Sequence, residues 1–171
     1  MGATNLQFTL AFQTDEQPSS STITVYCDGL CEPYNPNGYG CWGWSAVGAD
    51  GQTLAEDCGF VGKGEGITNN VAEYHALLNA LRWAVGQPSG ESFHFLTDSL
   101  LVVKQVNGEW ACNKPHLKLL RREAVGLISQ LPATLEWIPR EKNERADALS
   151  RVAYQKARTD KEDASYQKTL Y

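Results

Sequence analysis

Three strand-like runs follow one another between residues 23 and 61 with only turns between them, and each later strand-like run is set apart by a helix-length segment. That switch limits the fold more than any other feature. Strands joined by a short turn pair antiparallel; strands joined through a helix pair parallel, with a right-handed crossover. In residues 23–28, Ile23, Val25 and Cys27 alternate with Thr24, Tyr26 and Asp28, and Gly29 is expected to end the strand. Residues 32–38, Glu-Pro-Tyr-Asn-Pro-Asn-Gly, are turn chemistry throughout. Residues 41–47 form the second strand, 48–51 a hairpin turn and 52–61 the third strand. Residues 92–98 are mostly apolar and read as a central fourth strand; residues 134–139 make the fifth. The prediction is an α/β chain. Its five-stranded mixed sheet has a three-strand antiparallel meander plus two parallel strands, flanked by helices, with strand 1 between the meander and strand 4.

The best-marked helix opens at Thr68-Asn69-Asn70, any of which can cap it. Val71, Tyr74, Leu77, Leu78, Leu81 and Val85 recur at helical spacing as one apolar stripe. Glu73 lies at the edge of that stripe. It therefore points a carboxylate toward the protein near the helix N-terminus, where the macrodipole favours negative charge. Residues 100–106 make a short helix stopped by Asn107-Gly108, and residues 114–131 a longer one ended by Pro132. A last helix begins near Asn143 and carries Ala146, Asp147, Leu149 and Ser150. Residues 1–21 read as a mobile arm, in which Leu6, Phe8, Leu10 and Phe12 hint at an extra strand. Residues 22–152 read as the folded domain and 153–171 as a polar tail, frayed helix or coil.

A chain of 171 residues has room for one full hydrophobic core. The net charge of −5 argues against strong non-specific nucleic-acid binding, although carboxylates carrying cations can attract phosphates. Five cysteines without a CxxC pair read as reduced thiols rather than a zinc site, which points to the cytoplasm. There is no apolar run of roughly 20 residues to span a membrane, and no basic-then-apolar leader; both ends read as natural. The glycine-rich residues 62–66 lack the phosphate-loop pattern and follow an antiparallel strand.

Asp28 falls late in strand 1 and Asp98 ends strand 4, at the carboxyl ends where such sheets open a crevice. Glu73 and Asp147 sit on helices that can pack beside them. Taken singly, each Asp is an ordinary loop or cap residue, and Asp147 a solvated helix face. Gathered together, four carboxylates repel one another and lose hydration, which a fold tolerates when cations are present. All-oxygen donors suit Mg²⁺ or Mn²⁺, and two such ions about 4 Å apart can clamp a phosphodiester.

The pieces Tyr26-Cys27-Asp28-Gly29, Thr68-Asn69-Asn70-Val71-Ala72-Glu73, Leu96-Thr97-Asp98-Ser99 and Asn143-Glu144-Arg145-Ala146-Asp147 resemble ribonuclease H of type 1, in that family's order. The resemblance implies a ribonuclease H-like fold over residues 22–152. It also implies metal-dependent endonucleolytic cutting of the RNA strand of an RNA–DNA hybrid, leaving 5′-phosphate and 3′-hydroxyl ends. Asp28, Glu73, Asp98 and Asp147 would hold two Mg²⁺ ions, with Mn²⁺ as a substitute. Asn35, Asn69 and Asn70 match positions that contact the hybrid minor groove, and Thr68 matches one near a DNA phosphate. Such a protein is expected to act as a monomer.

Two departures stand out. The loop before the last Asp, residues 139–143, has no His; Arg140 stands in that place, and a guanidinium does not titrate near neutrality, so a phosphate contact is the implied role. Only residues 108–114 occupy the place of the family's basic handle. Weaker hybrid affinity is expected unless Lys114, His116, Lys118, Arg121, Arg122 or the tail substitute. The same gap leaves room for double-stranded RNA as a further substrate. The competing readings are a non-catalytic binding module and a nuclease for other duplexes.

Overall fold

The computed structural model describes residues 22–168, with side-chain surroundings through residue 160. The arm at residues 1–21, with its alternating Leu6, Phe8, Leu10 and Phe12, lies outside the described residues, as do residues 169–171. In chain order the elements are β1 (Thr22–Glu32), β2 (Tyr39–Val47), β3 (Thr53–Lys63), α1 (Asn69–Val85), β4 (Ser92–Thr97), α2 (Leu100–Val106), α3 (Pro115–Ile128), β5 (Ala133–Trp137) and α4 (Glu144–Lys168), with a short 3-10 turn at Arg140–Lys142. The sheet order is β3-β2-β1-β4-β5. β1, β2 and β3 pair antiparallel, while β1·β4 and β4·β5 pair parallel. This is the predicted ribonuclease H-like arrangement. Among the described residues no helix is long and apolar enough to cross a membrane.

β1 departs from expectation in a way that makes the crevice. It does not stop at Gly29 but continues to Glu32, because Gly29–Glu32 keep pairing with Trp42–Tyr39 of β2. Asp28 is therefore mid-strand, not near its end. What ends at that level is β4, whose pairing with β1 stops at Cys27↔Thr97. Beyond that pair the β4-side edge of β1 is open, and groups from both faces of the sheet can meet there.

The larger core lies on the α1 face. Val25, Cys27, Trp44 and Ala46 of the sheet meet Tyr74, Leu77, Leu78 and Leu81 of α1, with Val102, Val103, Leu117 and Ala124 closing it from α2 and α3. Burying each large apolar side chain contributes about 1.5–3 kcal/mol relative to leaving it exposed. Val85, predicted in the stripe, faces solvent at the last turn of α1. α4 packs on the opposite face. It does not stop at residue 152: Ala153 is buried with Leu30 and Cys41, and Tyr154 sets its ring edge-on to Tyr39.

Candidate active site

Asp28 projects from β1 on the α4 face, Asp98 directly follows β4, and Glu73 comes from the second turn of α1 on the other face. Glycine makes that meeting possible. A Cβ on Gly29 would lie 2.2 Å from the Glu73 backbone nitrogen and 2.6 Å from the Ala72 carbonyl oxygen, so α1 rests directly on the strand there. The freed Gly29 N–H donates to Glu73 Oε2 at 3.0 Å. Carboxylate oxygens of Asp28, Glu73 and Asp98 all lie within 4.8 Å of one another. Asp28 is 2% exposed and Glu73 6%.

Each member of this group is tied to its surroundings. Asn69 Nδ2 donates to Glu73 Oε1 at 3.3 Å. Asn143, fully buried, donates through Nδ2 to Asp98 Oδ1 at 3.1 Å and to the Cys27 carbonyl at 2.8 Å. The Trp137 indole N–H donates to the Asp98 carbonyl at 3.1 Å. Ser150 Oγ donates to Asp28 Oδ2 at 2.5 Å.

The electrostatics follow from crowding. Burial, with repulsion from Asp98 and Asp147, pushes the Asp28 carboxyl up to about 7; the Ser150 hydroxyl and Arg140 oppose the shift. Burial and then the Asp28 and Asp98 charges raise Glu73 well above the usual carboxylate range. The neighbouring Cys27 thiol is pushed up by burial and by both acids, so it offers no thiolate. The donors are all oxygen, and Asp28 and Glu73 are buried and inclined to keep their protons unless positive charge is supplied. That chemistry fits a hard divalent cation such as Mg²⁺ or Mn²⁺.

Asp147, the fourth predicted carboxylate, stands outside this three-residue group. Arg151 grips it through Nε at 2.7 Å and Nη2 at 3.3 Å, and Arg140 Nη2 donates to its Oδ1. The Arg151 hydrogen bond leads the effects that hold Asp147 below the usual range. Thr68, and not Asn69 or Asn70, is the N-cap of α1, accepting the Val71 N–H at 3.2 Å. Asn35 Oδ1 accepts the Asn69 N–H at 3.1 Å, which ties the β1–β2 turn to the helix mouth. Asn70 lies half-buried in the first turn of α1. His75 of α1 is half-buried, and burial lowers its pKa.

Sequence reasoning missed Ser150, Arg151 and Trp137. Ser150 carries a readable signal, since residues three apart share a helix face and Asp147 is three residues before it. Arg151, four residues after Asp147, carries the same kind of signal.

The family profile described as reverse transcriptase-like matches residues 27–153. Ribonuclease HI of Halobacterium salinarum is 37% identical over 132 residues, 77% of this chain. The crystal structure of RNase H1 from that archaeon superimposes with a TM-score of 0.70 at 35% identity, covering 79% of this chain and 98% of that one. The chain belongs to the type 1 ribonuclease H family. The ribonuclease H domain at the N-terminus of the Mycobacterium tuberculosis bifunctional protein Rv2228c gives a TM-score of 0.71 at 33% identity, covering 82% and 99% of the two chains. LC11-RNase H1, solved in complex with an RNA/DNA hybrid, gives 0.71 at 32% identity, covering 79% and 98%. This ribonuclease H-family chain spans 63% of the length of the Halobacterium relative and 31% of the mycobacterial one.

Proposed function

We propose that the chain cuts the RNA strand of RNA–DNA hybrids endonucleolytically with two divalent cations, leaving 5′-phosphate and 3′-hydroxyl ends. The observation that carries this reading is the convergence of Asp28, Glu73 and Asp98 from both faces of the sheet at the point where β4 ends. Family membership and a relative solved with a hybrid support the substrate class. Asp28, Glu73 and Asp98 hold the cations, and Asp147 completes the set. All four belong to one chain, so a monomer suffices.

Bound Mg²⁺ or Mn²⁺ supplies Lewis acidity, lowering the pKa of the attacking water and offsetting charge on the phosphate and the leaving oxygen. Water adds to phosphorus, the P–O3′ bond breaks, and the 3′-oxygen takes a proton. The chain's own residues orient this reaction. Asn35 and Asn69 are joined by a hydrogen bond, and Asn69 is in turn bonded to Glu73, so a minor-groove contact is linked rigidly to the carboxylates. An amide both donates and accepts, which suits the 2′-hydroxyl that distinguishes RNA from DNA in that groove. Asn70 lies beside this pair, Thr68 faces the DNA strand, and Arg140 contacts a phosphate.

The test presents one base sequence as RNA–DNA hybrid, double-stranded RNA, single-stranded RNA and DNA duplex, with Mg²⁺, Mn²⁺ or EDTA. Metal-dependent cutting of the hybrid's RNA strand is expected. Cutting of double-stranded RNA as well would show that the groove contacts do not need a DNA strand. No cutting with either metal would overturn the reading and leave a binding module.

A further inference from the structure

We infer that Ser150 is a positioning residue: by holding one oxygen of the Asp28 carboxylate, it sets the cation affinity of the site. The inference rests on Asp28 being a cation ligand, as proposed above. Ser150 is fully buried on α4, and its Oγ lies 2.5 Å from Asp28 Oδ2 and 2.9 Å from the Asp147 carbonyl oxygen. A serine hydroxyl has one hydrogen to give. An ionised carboxylate is the stronger acceptor, so the charge-assisted bond to Asp28 takes that hydrogen when the site carries charge. With Oδ2 engaged, Oδ1 remains for a cation in a fixed orientation, and such outer partners of ligating groups govern metal affinity.

The strand pairing explains why a hydroxyl from α4 can reach so deep. Asp28 pairs with Gly43 of β2, and directly paired residues of an antiparallel ladder point to the same face. A Cβ on Gly43 would lie 2.5 Å from the Ser150 backbone nitrogen and 2.8 Å from the Ala146 carbonyl oxygen. The missing side chain lets α4 rest on the sheet beside Asp28. Gly29 plays the corresponding part for α1 and Glu73 on the other face. Two neighbouring ligands are thus each served by a glycine that admits a helix: through Gly29 the helix delivers a ligand, and through Gly43 it delivers the hydroxyl that orients one.

The experiment is a titration of the full chain with Mn²⁺ alone, followed by electron paramagnetic resonance, alongside thermal unfolding in EDTA. Ser150→Ala is expected to weaken Mn²⁺ binding about 10-fold, the lower end of the effect of losing such a partner, with the EDTA unfolding midpoint unchanged. Ser150→Thr keeps the hydroxyl and should recover most of the affinity. If the added methyl prevents folding, Ser150→Cys takes its place: the same shape, smaller than Thr, but a poor donor, it must bind as weakly as Ser150→Ala. Equal Mn²⁺ affinity of Ser150→Ala and the unmodified chain overturns the inference and leaves the cation-site reading standing. So does a fall in affinity matched by a fall in the unfolding midpoint without recovery by Thr. Failure of the unmodified chain to bind Mn²⁺ overturns both.

Discussion

Asp28 and Asp147 are the same residue type and feel each other's charge, yet their surroundings treat a negative charge in opposite ways. Asp28 sits on a central strand, buried beside two other acids, and holds its proton up to about pH 7. Asp147 sits at the mouth of α4 between two arginines and is held below the ordinary carboxylate range. The sheet supplies proximity and pays in desolvation, whereas the helix supplies compensation and keeps its carboxylate wet. A site built this way leaves charge uncompensated at Asp28 and balances it at Asp147.

The comparison breaks most visibly under neutralisation of single carboxylates. Asp28→Asn or Asp98→Asn should lower hybrid cleavage at least about 1,000-fold, roughly 4 kcal/mol of transition-state stabilisation. Hybrid binding in EDTA should persist. Asp147→Asn should cost clearly less, because its carboxylate lies outside the three-residue group. Steady-state cleavage rates of the three variants decide it, and equal losses at Asp28 and Asp147 would erase the distinction.

Stability against pH sharpens the same contrast. The folded-state pKa of Asp28 lies above its unfolded value, so the folded state binds more protons between pH 4 and 7. Without metal, stability is then fully present at low pH and falls as pH rises through that window, by at most about 4 kcal/mol from this group. Glu73 shifts in the same direction. Asp147 has the opposite sign, contributing stability that is lost as pH falls; its arginine partners are well exposed and screened by solvent, so it contributes little. Urea unfolding from pH 4 to 8 in EDTA should show the decline, and Asp28→Asn should flatten it. Saturating Mg²⁺ should restore stability at pH 7, by about 2.7 kcal/mol at a concentration 100 times Kd.

The glycines test how the two helices reach the sheet. Gly29→Ala and Gly43→Ala each press a methyl into helix backbone at 2.2–2.5 Å, and each should destabilise by about 1–3 kcal/mol. Gly126→Ala, with open space around its Cβ position, is the matched control. Thermal unfolding separates them, and indifference at Gly29 or Gly43 would mean that the helices do not rest on these strands as described.

Much of this was legible before the structure. Period-two alternation marked the meander, and helix-length insertions made β4 and β5 parallel. Asp28, Glu73 and Asp98 are ordinary when taken singly and were recognisable through the four pieces that resemble ribonuclease H of type 1. What was hidden depends on pairing between distant segments. Gly29 reads locally as a strand break, and only the α1 backbone lying on it explains why β1 continues. Gly43 gains its meaning from standing opposite Asp28, a register that no local pattern announces. The polar sequence after Ser150 conceals that α4 goes on, since the small Ala153 and Ala157 and the ring of Tyr154 anchor it there.

The smallest effect, and the most informative about substrate entry, belongs to Arg140. Its guanidinium is well exposed and paired with Asp147, so the pair adds no more than about 1 kcal/mol to stability. Arg140→Ala should therefore leave the unfolding midpoint nearly unchanged. It should raise KM for the hybrid more than it lowers kcat, because the proposed contact to phosphate is lost while Arg151 still holds Asp147. The guanidinium stays charged from pH 6 to 9, so it does not itself titrate there. It does hold the Asp28 and Glu73 carboxyls lower than they would otherwise lie, so its removal should move the acid limb of the pH–rate profile to higher pH. An acid limb that stays in place would mean that bound cations, and not Arg140, set those carboxyls, and that Asp28 and Asp147 are contrasted without being coupled through it.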